Sequence, residues 1–138
     1  GAFVGLELRH DRGALVRAVL EGVAFGLRDC LDLLRALGVD AEAGRVSGGG
    51  ARSDLWLRIV ASVLDIPLEV TASEEGSALG AALLGGVAGG VFADVPDAVE
   101  RCVRVSRVVE PVPAWRDAYA ELAPRFRAVY PALRGVDR

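Results

Sequence analysis

The sequence contains no Lys, Met, Asn or Gln, and it has one His and two Cys among 138 residues. Each absence removes a class of function. Without Lys there is no side chain to play the lysine of a Walker phosphate loop. His10, Cys30 and Cys102 lie too far apart in sequence for a Cys/His metal motif. No basic segment followed by an apolar core opens the chain, so no secretory leader is read there, and both cysteines are expected reduced and buried. The 16 basic residues, all Arg, are outnumbered by 19 acidic ones, for a net charge of −3 and a pI near 5.2. That balance argues against nucleic acid or an anionic membrane as partner. The missing residue types together suggest a GC-rich coding sequence rather than a function. A chain that begins at Gly1 without Met reads as a piece of a longer protein.

What is present is apolar. Hydrophobic residues make up 52% of the chain, the mean hydropathy is +0.36, and there are 17 glycines. The length suits one domain with a real core. So apolar a chain is expected to present a surface that a partner normally covers, and to self-associate when it stands alone. The uncharged run from Ser77 to Ala93 is shorter than the ~20 residues of a membrane-spanning helix. With Gly80, Gly85, Gly86, Gly89 and Gly90 it reads as a buried, closely packed helix that ends in a loop.

The pattern of elements is as follows. Residues 1–8 alternate loosely and read as a strand or extended segment. Asp11 is placed to cap a helix running to about Leu37. Leu15, Val19, Val23, Gly26, Cys30, Leu34 and Leu37 form its apolar stripe, opposite Arg17, Glu21, Arg28, Asp32 and Arg35. Gly22 and Gly26 imply an element packed close to that helix, and Gly38 a left-handed cap. A short strand over 44–47 follows. Ser53 or Asp54 caps the next helix, with Leu55, Ile59 and Val63 inward and Trp56 and Val60 beside them. Leu68 to Thr71 is a strand. Ser73, Glu74 and Glu75 open the uncharged helix, where two carboxylates suit the positive end of the dipole; a pair of acid/base groups is the alternative. Asp94 caps a short helix from Pro96, Val105 to Val109 is extended, and a last helix from about Ala114 to Leu133 carries Trp115, Tyr119, Leu122, Phe126 and Val129 on one side. The alternation predicts an α/β domain with mostly parallel strands flanked by helices and a C-terminal helical tail.

Between the second strand and its helix stands Val46-Ser47-Gly48-Gly49-Gly50-Ala51-Arg52-Ser53-Asp54. Three glycines without Cβ atoms let a ligand approach the backbone, and the helix that follows aims its positive end at the loop. Ligands of open α/β sheets bind at such carboxyl ends of strands. The same residues also suit a tight strand-to-helix turn that simply has no room for Cβ atoms.

Three blocks together resemble the C-terminal part of the FGGY family of carbohydrate kinases, and within it the xylulokinases. They are Gly1-Ala2-Phe3-Val4-Gly5-Leu6 with Leu15 to Glu21; Gly48 to Trp56; and Glu74-Glu75-Gly76-Ser77-Ala78-Leu79-Gly80-Ala81-Ala82. Tyr130-Pro131-Ala132-Leu133 also fits, whereas Ala14 stands where the family usually has a polar residue. The resemblance implies part of an actin-like ATPase (ribonuclease H-like) domain, residues 1–138 forming one C-terminal nucleotide-binding unit with a core over 1–93 and a tail over 94–138. It implies that Gly48, Gly49, Gly50 and Ala51 contact ATP through their backbone and that Asp54, at a position often Asn in the family, reaches adenine or ribose. Glu74 and Glu75 would position the last core helix. The catalytic base and most of the Mg²⁺ site would lie in an N-terminal domain of the same protein, so no catalytic or metal residue is assigned here. The implied reaction is phosphorylation of a sugar hydroxyl, D-xylulose first, by a cytoplasmic, homo-oligomeric enzyme. Another sugar or polyol of the same family, a non-catalytic actin-like nucleotide-binding module, and a packing domain whose glycines serve only geometry are the alternatives.

Overall fold

The computed structural model describes residues 1–73 and 76–135. In chain order these form α1 (Arg12–Ala36), β1 (Gly44–Val46), a 3₁₀ turn (Gly49–Arg52), α2 (Asp54–Leu64), β2 (Leu68–Thr71), α3 (Gly76–Ala88), α4 (Val95–Cys102), β3 (Val105–Val109) and α5 (Pro113–Leu133). Glu74 and Glu75 lie outside the described residues, and with them the expected roles of their carboxylates.

Short polar side chains set the helix starts. Asp11 accepts from the Ala14 N–H at 2.8 Å, Ser53 from the Trp56 N–H at 3.3 Å and Asp94 from the Asp97 N–H at 2.8 Å. Each satisfies one of the donors that a helix leaves free at its beginning. At the other end of α1, Gly38 takes φ +85°, its N–H bonds the Arg35 carbonyl and the Val39 N–H bonds the Leu34 carbonyl. This paired closure needs a left-handed residue, which glycine adopts without strain.

The sheet has the order β1-β2-β3, with β1 and β2 parallel and β2 and β3 antiparallel. It is therefore mixed rather than mostly parallel. The reason lies in the connections. One helix, α2, returns the chain between β1 and β2, but two helices packed on each other, α3 and α4, separate β2 from β3. The extra helix adds a reversal, so β3 starts where β2 ends, as the bond from the Ala72 N–H to the Arg104 carbonyl marks.

The core is centred on α2. Leu57, Ile59, Ala61 and Val63 are fully buried, between Leu68 and Val70 of β2 and Ala24, Phe25, Tyr119 and Ala123 of α1 and α5. Burying a side chain of the Leu or Val class contributes about 1.5–3 kcal/mol. On β2, Leu68 and Val70 face this core while Glu69 turns to the other side, where it pairs with Arg45 of β1 at 2.8 Å.

Several sequence expectations change. Residues 1–10 are exposed or half-buried and irregular, not a strand. Along α1 the two stripes exchange roles: Leu20, Ala24, Phe25 and Leu31 pack inward, with the polar stripe beside them, whereas Val19 and Val23 are each 54% exposed and Leu37 80%. The polar stripe packs because α5 supplies partners for it. Of the two α1 glycines, Gly22 is approached by Phe126, while nothing lies within 4 Å of a Cβ at Gly26. Leu55 is exposed, because α2 turns Leu57 inward instead. Among the described residues α3 buries only Leu83, so it is not the buried helix that its lack of charge suggested. It packs on the short α4, which covers one side alone. Cys30 and Cys102 are both free and exposed rather than buried, Cys30 on α1 and Cys102 at the end of α4. No helix among the described residues is long and apolar enough to cross a membrane.

Candidate nucleotide-binding site

Where β1 ends, Ser47 leads into Gly48, whose φ of +84° turns the chain sharply. The 3₁₀ turn that follows is closed by bonds from the Ala51 N–H to the Gly48 carbonyl (3.0 Å) and from the Ser53 N–H to the Gly50 carbonyl (3.3 Å). A turn of this kind offers its own first N–H groups, here those of Gly49 and Gly50, no partner within the turn. The glycines differ in why they lack side chains. A Cβ at Gly50 would stand 3.3 Å from the Trp56 indole nitrogen, so the protein itself leaves little room there. Beyond its own turn, a Cβ at Gly49 would meet nothing among the described residues within 4 Å, and its φ is not left-handed. The turn alone does not require glycine at that position.

The second parallel strand ends beside the first. The Thr71 hydroxyl lies 3.3 Å from the Val46 carbonyl and 3.0 Å from that of Ser73, tying both strand ends together. A Cβ at Gly76, the first residue of α3, would collide with the Ser47 side chain. The carboxyl ends of β1 and β2, the glycine turn and the start of α3 thus converge, as the topological rule for α/β ligand sites requires.

Asp54, the first residue of α2, is exposed and ion-paired with Arg107 of β3 at 2.5 Å. The Arg107 guanidinium, by hydrogen bond and charge, holds the Asp54 carboxyl below its ordinary value of 3.8. A second nitrogen of Arg107 donates to the Ala51 carbonyl at 3.3 Å. Beside this link opens a cavity of about 310 Å³ lined by Asp54, Arg58, Arg107, Val108, Val109, Glu110 and Val112. Sequence reasoning placed Gly48, Gly49, Gly50, Ala51 and Asp54 together, and the fold keeps them together. It missed Arg107. The available signal was one cation inside an otherwise apolar or small strand, Val105-Ser106-Arg107-Val108-Val109. Among the described residues no three His, Cys, Asp or Glu side chains are grouped to hold a metal ion. His10 serves a turn instead: its Nδ1 accepts from the Glu7 N–H at 2.9 Å.

Residues 1–89 match the FGGY family of carbohydrate kinases, C-terminal domain. A xylulose kinase of Staphylococcus epidermidis is 31% identical over 130 residues, covering 94% of this chain and 26% of the relative. A glycerol kinase of Carboxydothermus hydrogenoformans is 38% identical over 112 residues, 80% of this chain and 22% of the relative. The crystal structure of xylulose kinase from Rhodospirillum rubrum superposes with a TM-score of 0.83 at 37% identity, over 98% of this chain and 28% of that one. The chain spans about a quarter of the length of these relatives. Its α/β architecture is part of the actin-like ATPase fold of such kinases. The chain belongs to the FGGY family of carbohydrate kinases, within that family's C-terminal domain.

Proposed function

We propose that this chain forms the nucleotide side of the cleft in a kinase that phosphorylates a sugar hydroxyl, D-xylulose first. The observation that carries the reading is Gly49, a glycine the turn does not need, in the glycine turn at the joined ends of two parallel strands. An open backbone whose first two N–H groups are not used by the turn itself suits the α-phosphate and ribose side of ATP. When bound, ATP supplies the γ-phosphoryl group. Gly48, Gly49, Gly50 and Ala51 hold the nucleotide through their backbone, and the ionised Asp54 suits a ribose hydroxyl or an adenine amine, both donors. Catalysis by positioning and charge stabilisation suits phosphoryl transfer, which asks little covalent chemistry of the protein. The acceptor sugar, its base and Mg²⁺ are assigned to the rest of the protein, an N-terminal domain that closes on this one and excludes water. A homo-oligomeric, cytoplasmic enzyme is part of the same reading. The identity with a glycerol kinase favours a polyol acceptor as the second reading.

The test is Gly49→Val in the complete protein, with ADP titrated by calorimetry. Thermal stability should match the wild type, while ADP affinity falls by at least about tenfold, ~1.4 kcal/mol. Equal ADP binding by both proteins would leave the turn with a purely geometric role. Turnover of ATP with D-xylulose, glycerol and gluconate in parallel then identifies the acceptor.

A further inference from the structure

Arg107 lies outside the stretch matched by the family, residues 1–89, and far in sequence from the glycine turn. It nevertheless reaches that turn. In the antiparallel register Arg107 stands opposite Val70 of β2, whose side chain is buried against α2. Directly opposed residues share a face of the sheet, so Arg107 projects on the α2 side, toward the start of that helix. Its guanidinium then holds two points at once, the Asp54 carboxylate at 2.5 Å and the Ala51 carbonyl at 3.3 Å. Neighbouring bonds fix the strand that carries it: the Ser106 hydroxyl donates to the Val70 carbonyl at 2.9 Å. A single exposed ion pair contributes little to stability. A planar fork joining a strand, a helix start and a turn carbonyl restricts geometry, which is a different effect.

We propose that Arg107 is a positioning residue for the nucleotide site, setting the shape of the glycine turn through Ala51 and the orientation of Asp54. The proposal rests on the reading of that turn as a nucleotide site and extends the site to the C-terminal strand. Ligand contacts then depend on a residue that does not itself touch the ligand. The hydrogen bond and charge of Arg107 also hold the Asp54 carboxyl below its ordinary value, which reports the same contact.

The experiment uses the complete protein with ADP as probe and compares Arg107→Leu, Arg107→Lys and, as a control, Arg116→Leu. Arg116 pairs with Asp117 and Asp65, away from the turn. Arg107→Leu should weaken ADP binding roughly fivefold and raise the KM for ATP alike, while the KM for the acceptor holds. Amide exchange in peptides covering residues 48–53 should quicken without nucleotide present, and the middle of α2 should not change. Arg107→Lys, with the charge but not the fork, should fall between, and Arg116→Leu should match the wild type. Unchanged ADP affinity in Arg107→Leu overturns the positioning role; if Gly49→Val still loses ADP, the nucleotide site itself stands. A wild-type protein that binds no ADP overturns both.

Discussion

Ser62 shows how much can depend on one hydroxyl. It is fully buried in α2, donates to the Arg58 carbonyl at 2.6 Å and accepts from the Val112 N–H at 2.9 Å. The second bond pins the link between β3 and α5 to the centre of the core. Ser62→Ala leaves that N–H without a partner, which should cost about 1–3 kcal/mol in urea unfolding. A loss under 0.5 kcal/mol would mean that the link finds another acceptor. Gly76 makes the complementary case, since its missing side chain is filled by Ser47. Gly76→Ala should be destabilising, and Ser47→Gly in the same protein should recover most of the loss, measured by thermal melting. Neither role was legible in the sequence. A serine inside a helix and a glycine at a helix start each have several uses, and only the neighbouring element decides. The glycine turn was legible because its residues are adjacent, whereas Arg107 belongs to the site through pairing across a sheet.

The helices were legible through their ends, and less so through their faces. Asp11 and Gly38 announce the limits of α1 because each answers a local need of the backbone. Which stripe of α1 packs depends on α5, which lies at the other end of the chain. There Arg17, Glu21 and Tyr119 close a triangle: the Tyr119 hydroxyl donates to Glu21 at 2.6 Å, and Arg17 donates to both, at 2.7 and 3.0 Å. Arg17 also lies over the Trp115 ring at 4.3 Å, and Arg127 of α5 is shared by Asp29 and Asp32 of α1. The charged stripe of α1 is thus a contact face, with aromatic rings beneath it: Phe25 meets Tyr119 edge-on. Burial and the bond to Glu21 push the Tyr119 pKa from 10.0 up to about 12. The native state holds this proton more tightly than the unfolded chain, so the contribution is complete below pH 10 and is lost as pH rises toward 12. Unfolding midpoints between pH 9 and 12 should fall in the wild type and fall less in Tyr119→Phe. Parallel curves for the two would place the alkaline loss elsewhere.

The chain as a whole leaves much apolar surface in water. Val16, Val19, Val23 and Leu27 of α1 and Leu84 of α3 are among the large exposed side chains. Exposed apolar surface of this kind promotes association. Taken alone, the chain should sediment as dimers or larger species at tens of micromolar, and Val19→Glu with Val23→Glu should shift it toward monomer without loss of helical circular dichroism. A wild-type monomer at high concentration would mean that the stripe is too broken up to pair. Sequence composition announced this surplus correctly. It could not say where the surplus lies, because a stripe of valines has the same pattern whether or not anything packs on it.

The clasp between α1 and α5 also bears on the order of events in the cell. Arg17 and Tyr119 are separated by 102 positions, nearly the whole chain. During translation α1 emerges before α5, and the partners that α5 supplies to its charged stripe follow about 100 positions later. At about 5–20 residues per second the gap lasts several seconds. Throughout that interval α1 lacks the contacts of Trp115, Tyr119 and Arg127 on one side and presents valines to water on the other. The nascent chain therefore holds apolar surface in water for those seconds, and rare codons placed just before α5 would lengthen that exposure.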